Sequence, residues 1–201
     1  MELLDFDEAN IVARLAQMPA QRRAAFAAAC AQRLLPAYSR FASMTGMGDS
    51  EGVRSSLESI WKDLVGERIL SEEEVSEAIT SCTDRIPTEE SPGWVPEQAV
   101  AEDAATAVVY ALRCLKNGEA QEAAWAARCA YEAIDHYVIN HENIDLNTPG
   151  AEALIISHPL IQAEMARQRR DLDQLLHQEV RPIQLWKRSE AESARFLPIN
   201  G

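Results

Sequence analysis

Residues 96–118, PEQAVAEDAATAVVYALRCLKNG, run directly into residues 119–141, EAQEAAWAARCAYEAIDHYVINH. Proline at the first position suits a helix start, where a missing N–H costs nothing, and Asn117-Gly118 supplies the left-handed residue that ends one. The first segment is apolar on several sides through Val100, Ala104, Ala107, Val108, Ala111, Leu112 and Leu115, so it should be central. The second turns Ala120, Ala123, Ala127, Ala130, Ile134 and Val138 toward it. Small side chains let antiparallel helices approach to about 8–10 Å or less. The pair predicts an αα-hairpin at the centre of an all-α protein.

The flanks carry the same periodicity. Asp5 or Asp7 can cap a helix to about Gln17, and Met18-Pro19 marks the next start. Phe26, Cys30, Leu34, Tyr38 and Phe41 then recur at three and four, the stripe of a core-facing helix that Pro36 should kink or split. Val53, Leu57, Ile60, Trp61 and Leu64 mark a third helix, with Trp61 expected to anchor the core against Phe41 and Tyr38. Ser71-Glu-Glu-Glu74 fits a capping box for a short acidic helix. Residues 82–96 hold three prolines and read as a surface crossover, with Trp94 folded back onto the body. Ile161, Met165, Leu172, Leu175 and Leu176 give a late helix, and Pro182 opens the last. Strand signals are nearly absent. The expected architecture is one domain over residues 1–201, a multi-helix bundle with the hairpin at its centre.

Composition narrows the function classes. The chain has 201 residues, 47% hydrophobic and 25% charged, which supports one well-filled core. Its net charge of −13 argues against nucleic-acid binding, which rests on lysine and arginine. The charge is uneven: residues 67–103 hold 11 acidic and 2 basic side chains, whereas residues 11–42 hold Arg14, Arg22, Arg23, Arg33 and Arg40 with no acid. Those arginines read as solvated helix faces, as attracted to the acidic segment, or as a small basic surface for a partner. The acidic start MELLDFDEAN is unlike a signal peptide, and no apolar run spans a bilayer, so the expected location is cytoplasmic. Cys30, Cys82, Cys114 and Cys129 form no CxxC pair and read as reduced, buried thiols.

Two stretches invite a chemical reading. TGMGDSEG, residues 45–52, lacks the preceding strand and the spacing of a dinucleotide loop, and no Gly-Lys-Ser/Thr follows. The stronger reading is a turn, with Gly46 as a left-handed cap, Gly48 at the reversal and Asp49 or Ser50 capping the next helix; anion binding at that helix N-terminus is the alternative. The second is a stripe of Trp125, Cys129, Glu132 and His136, placed by periodicity on the outer hairpin face opposite the alanines. Either a second neighbour covers it, with Glu132 and His136 paired at i,i+4, or it walls a pocket for a metal or substrate. Glu132/His136 and Asp173/His177 are each one residue too long for a di-iron Glu-x-x-His motif, and His141 and His158 sit where helices end. No catalytic, cofactor-binding or metal-binding residue is assigned, and no cofactor is expected.

RLLPAYSRFASMTGMGD (33–49), LESIWKDL (57–64), the alanine-rich hairpin and HPLIQAEMARQRRDLDQLL (158–176) together resemble the bacterial YjaG-like family, a domain of unknown function. The most specific part is Tyr38, Phe41, Thr45, Gly46, Gly48 and Asp49, followed by Ile60-Trp61. The resemblance implies a compact all-α fold from a bacterial cytosol and transfers no catalytic residue. The leading expectation is an uncharacterised helical protein acting by protein–protein contacts, as a homodimer or an adaptor for an unidentified protein partner. The competing one is a small enzyme or ligand-binding module built on the 125–136 stripe.

Overall fold

Alternating caps and apolar stripes produce helices throughout the computed structural model, which describes residues 3–88 and 95–194. In chain order these are α1 (Glu8–Leu15), α2 (Ala20–Thr45), α3 (Ser50–Leu64), α4 (Glu72–Thr83), α5 (Pro96–Asn117), α6 (Ala120–His141), α7 (Ala151–Ser157), α8 (Pro159–Leu176) and α9 (Pro182–Ser193). The described residues contain no strand.

The starts follow the capping chemistry. Asp7 accepts from the Asn10 amide, Asp49 from Gly52, and Ser71 exchanges bonds with Glu74 in a full capping box. Pro96, Pro159 and Pro182 occupy first turns, and His158 caps α8 by accepting from the Leu160 amide. Gly118 ends α5 at φ +70, its N–H on the Cys114 carbonyl. A side chain there would come within 2.8 Å of the Ala20 Cβ, so this glycine also lets α2 begin against the hairpin.

The hairpin is central, and α2 lies along both of its members. That sandwich buries far more of α2 than one stripe: residues 24–35 are buried on every side. Ala24, Ala25, Ala27, Ala28, Ala29 and Ala31 supply the small faces that allow it. Pro36 neither splits α2 nor interrupts it, and 26 helical residues run through it. The crossover begins later than the prolines suggest, because Cys82 and Thr83 still belong to α4 and Cys82 is buried. Trp94 lies outside the described residues.

The glycine turn joins three elements. Gly46 caps α2 at φ +69, and Gly48 sits at φ +81 with the Tyr38 hydroxyl only 2.9 Å from where a Cβ would stand. That hydroxyl donates to the Arg85 carbonyl at 2.7 Å, while Arg85 pairs with Asp49 at 2.7 Å. The N-terminus of α3 is thus served by the protein's own Asp49 carboxylate, which the Gly52 amide and Arg85 hold below the usual carboxylate range. Gly48→Ala should cost at least about 1–2 kcal/mol, from left-handed strain on a residue with a Cβ and displacement of Tyr38. Urea denaturation measures it; an unchanged midpoint would remove Tyr38 from the tie.

Candidate functional site

Three places gather chemistry-bearing side chains, and the stripe on α6 is the first. It runs along the border with α5, its Glu132 and His136 side chains still 45% and 42% exposed. Trp125 packs on Tyr110 with ring centroids 5.3 Å apart, and His136 Nδ1 lies 3.1 Å from an Asp103 carboxylate oxygen. Glu132 pairs with Arg128 at 3.5 Å, so the i,i+4 partner of Glu132 is on its N-terminal side and His136 is engaged elsewhere. Cys129 is 4% exposed, and burial, then Asp103 and Glu132, push its thiol far above the ordinary range. The Asp103 hydrogen bond raises His136 above its ordinary pKa, while burial raises Asp103. The three donors share the field of Asp103, but His136 bonds to it while Glu132 pairs with Arg128. Among the described residues no three His, Cys, Asp or Glu side chains gather as a metal site.

The second place is a buried ion network that periodicity alone does not reveal. Arg33 of α2 is fully buried and donates to Glu164 from Nη2 (2.9 Å) and Nε (3.2 Å), and to Asp171 from Nη1 (2.9 Å). Both carboxylates come from α8 and are themselves fully buried. Gln168 donates to Glu164 at 3.1 Å and to the Ala127 carbonyl of α6 at 3.0 Å. The other Asp171 oxygen accepts from Arg170 and from Arg188 of α9, each at 2.8 Å, and Arg170 reaches Glu192 of α9 at 2.8 Å. Burial lifts Glu164 above the usual carboxylate range against the opposing pull of Arg33, whose own charge these partners hold. The network's chemical work is positional: it ties α9 to α2 and α8.

Four of the five N-terminal arginines are likewise engaged within the molecule, with partners outside the acidic segment of residues 67–103, and do not form a basic or freely solvated face. Arg14 pairs with Asp173, Arg22 donates to the Leu175 carbonyl, Arg23 collects the carbonyls ending α1 and α5, and Arg33 is buried. Arg40 is the member with a loose carboxylate neighbour, Glu97 at 3.9 Å.

Arg40 belongs to the third place, a groove of about 760 Å³ among α2, α3 and α9. One face of α2 forms its floor: Gln32, Leu35, Pro36, Ser39, Arg40 and Ser43 recur at helical spacing, with Met44 at the rim, 54% exposed. Arg54 of α3 stands on one side, and Glu190 and Ser193 of α9 on the other. Behind the floor, Trp61 is fully buried and stacks on Trp186 of α9, centroids 5.8 Å apart and planes within 4°. Its indole N–H donates to Gln32 Oε1 at 3.0 Å. Trp61 is therefore the core anchor expected, with its ring partner on α9.

Residues 10–194 match the family described as "Protein of unknown function (DUF416)". The chain belongs to this family. The matched span runs from within α1 to the end of α9, so the hairpin, the ion network and the groove all fall inside the DUF416 domain. Among solved structures, the fold is similar to that of a DUF416 family protein from Shewanella baltica OS155, with a TM-score of 0.76 and 18% identity over 92% of this chain and 93% of that chain. At that identity the likeness concerns the fold alone. Comparison with curated proteins gives no match. No described helix of this DUF416 chain is long and apolar enough to cross a membrane.

Proposed function

We propose that this DUF416 chain, as a YjaG-like member from a bacterial cytosol, works through protein–protein contacts and carries out no chemistry of its own, with the α2–α3–α9 groove as its contact surface. The groove supports this reading through its lining: an exposed methionine and a proline lie beside two arginines whose ion-pair partners among the described residues stand at 3.8 and 3.9 Å. Pairs at that distance on a protein surface are worth roughly 0–1 kcal/mol, so both guanidinium groups are available to a partner. The competing reading, a pocket at Trp125, Cys129, Glu132 and His136, draws less support, because His136 and Glu132 are already paired with Asp103 and Arg128 and Cys129 is buried.

A Ser43→Trp variant tests the proposal. Ser43 is exposed on the groove floor, so the added ring fills the groove without entering the core. Light scattering of the wild type at micromolar concentration separates a homodimer from a 22.3 kDa monomer that needs a different partner. In either case, cross-links from the groove should disappear in Ser43→Trp while the melting curve is kept. Cross-links unchanged in the variant would move the contact surface elsewhere.

A further inference from the structure

The groove is rich in hydrogen-bond donors, on a protein whose net charge is −13. Gln32 is 8% exposed, and its orientation is settled by chemistry. An indole N–H can only donate, so the atom 3.0 Å from Trp61 Nε1 must be the amide oxygen. The amide NH2 is then the free end, and it has no hydrogen-bond partner among the described residues. The Ser39 and Ser43 hydroxyls likewise make no hydrogen bond to other described residues. With Arg40 and Arg54 these groups offer donors from two helices, against a single lining carboxylate, Glu190.

Gln32 and Pro36 both line the floor of the groove. A lining with two cations and one anion favours a ligand of low negative charge over a phosphate-rich one. Leu35, Pro36 and Met44 favour an apolar group next to that charge.

Building on the contact reading, we infer that the groove receives an acidic peptide segment of a partner protein, its carboxylates on Arg40 and Arg54 and a large apolar side chain on Leu35, Pro36 and Met44. A peptide brings all three complements at once: carboxylates for the guanidinium groups, a backbone carbonyl for the Gln32 NH2, and an apolar side chain. A free monocarboxylic acid lacks both the backbone carbonyl and a second carboxylate, and a nucleic acid brings more negative charge than two arginines facing Glu190 accommodate.

The test is a random heptapeptide display library panned on the immobilised full-length protein, followed by fluorescence anisotropy of a recovered peptide. Recovered sequences should be enriched in Asp or Glu beside Leu, Met or Phe. Affinity should fall about tenfold or more when the peptide's acids become amides, and likewise in Arg40→Gln/Arg54→Gln, and it should weaken as salt is raised. Both arginines are solvent-accessible and loosely paired, so the double variant should melt like the wild type. Octanoate, added as competitor, should displace the peptide only weakly; octanoate binding as tightly would overturn the inference in favour of a free acid. Peptides without acidic enrichment that still lose binding in Ser43→Trp would overturn it while leaving the contact reading in place. Acidic peptides that bind Ser43→Trp and the arginine variant as well as the wild type would overturn it too, and the cross-linking of Ser43→Trp would then decide the contact reading separately.

Discussion

Arg33→Met is expected to lower the unfolding free energy by about 3–5 kcal/mol, the usual cost of removing one partner from a buried ion pair. Against a typical total of roughly 5–15 kcal/mol, that brings the protein close to unfolding. The cost arises from what is left behind. Glu164 loses two guanidinium N–H bonds in a place without solvent, and Gln168 becomes its main remaining donor. Asp171 suffers less, since Arg170 and Arg188 still reach its other oxygen. Arg33→Met/Glu164→Leu should therefore recover most of the loss, because the stranded carboxylate goes with the guanidinium. Urea denaturation of both variants provides the check. A single variant as stable as the wild type would mean that Glu164 is already neutral and needs no counter-charge.

The positions of these residues explain what could be read from the chain and what could not. Helix boundaries were legible because caps act locally: Asp7, Ser71 with Glu74, Pro96 and Gly118 each satisfy or relieve amides within one turn. The central hairpin was legible because its small apolar residues recur on both helices and Asn117-Gly118 turns one into the other. The side of α6 that meets α5 was not, since a 3.6-residue period gives a face but no neighbour, and the stripe assigned outward borders Tyr110 and Asp103. The ion network escaped for a related reason. An arginine on an apolar face looks solvated until its partner is known, and that partner is 131 residues away. One signal was present on α8: Glu164, Gln168 and Asp171 fall at spacings of four and three among Ile161, Met165 and Leu172. Polar groups inside an apolar stripe need buried partners, and the apolar stretch 24–35 of α2, with Arg33 as its one arginine, was the available source. The groove could not be anticipated at all, because it depends on where α9 docks.

Trp61→Ala is expected to cost about 3–5 kcal/mol, the range for a large aromatic deleted from a core. The side chain is fully buried, so its loss opens a cavity between α3 and α9 and removes the ring on which Trp186 stacks. Trp61→Phe separates volume from hydrogen bonding. It keeps most of the apolar contact but withdraws the indole N–H, leaving the nearly buried Gln32 oxygen without its donor, a loss of about 1–3 kcal/mol. Urea denaturation should thus rank wild type above Trp61→Phe and Trp61→Ala lowest. Equal stability of Trp61→Ala and wild type would place the ring outside the core. The same phenylalanine variant also bears on binding, since the indole is what fixes the Gln32 amide with its NH2 free for the groove. Once that bond is gone the amide can rotate, and the ordering of a donor before binding becomes a cost at binding. An acidic peptide should then bind Trp61→Phe more weakly although Arg40 and Arg54 are untouched, which ties the core packing of α3 and α9 directly to the chemistry of the groove they frame.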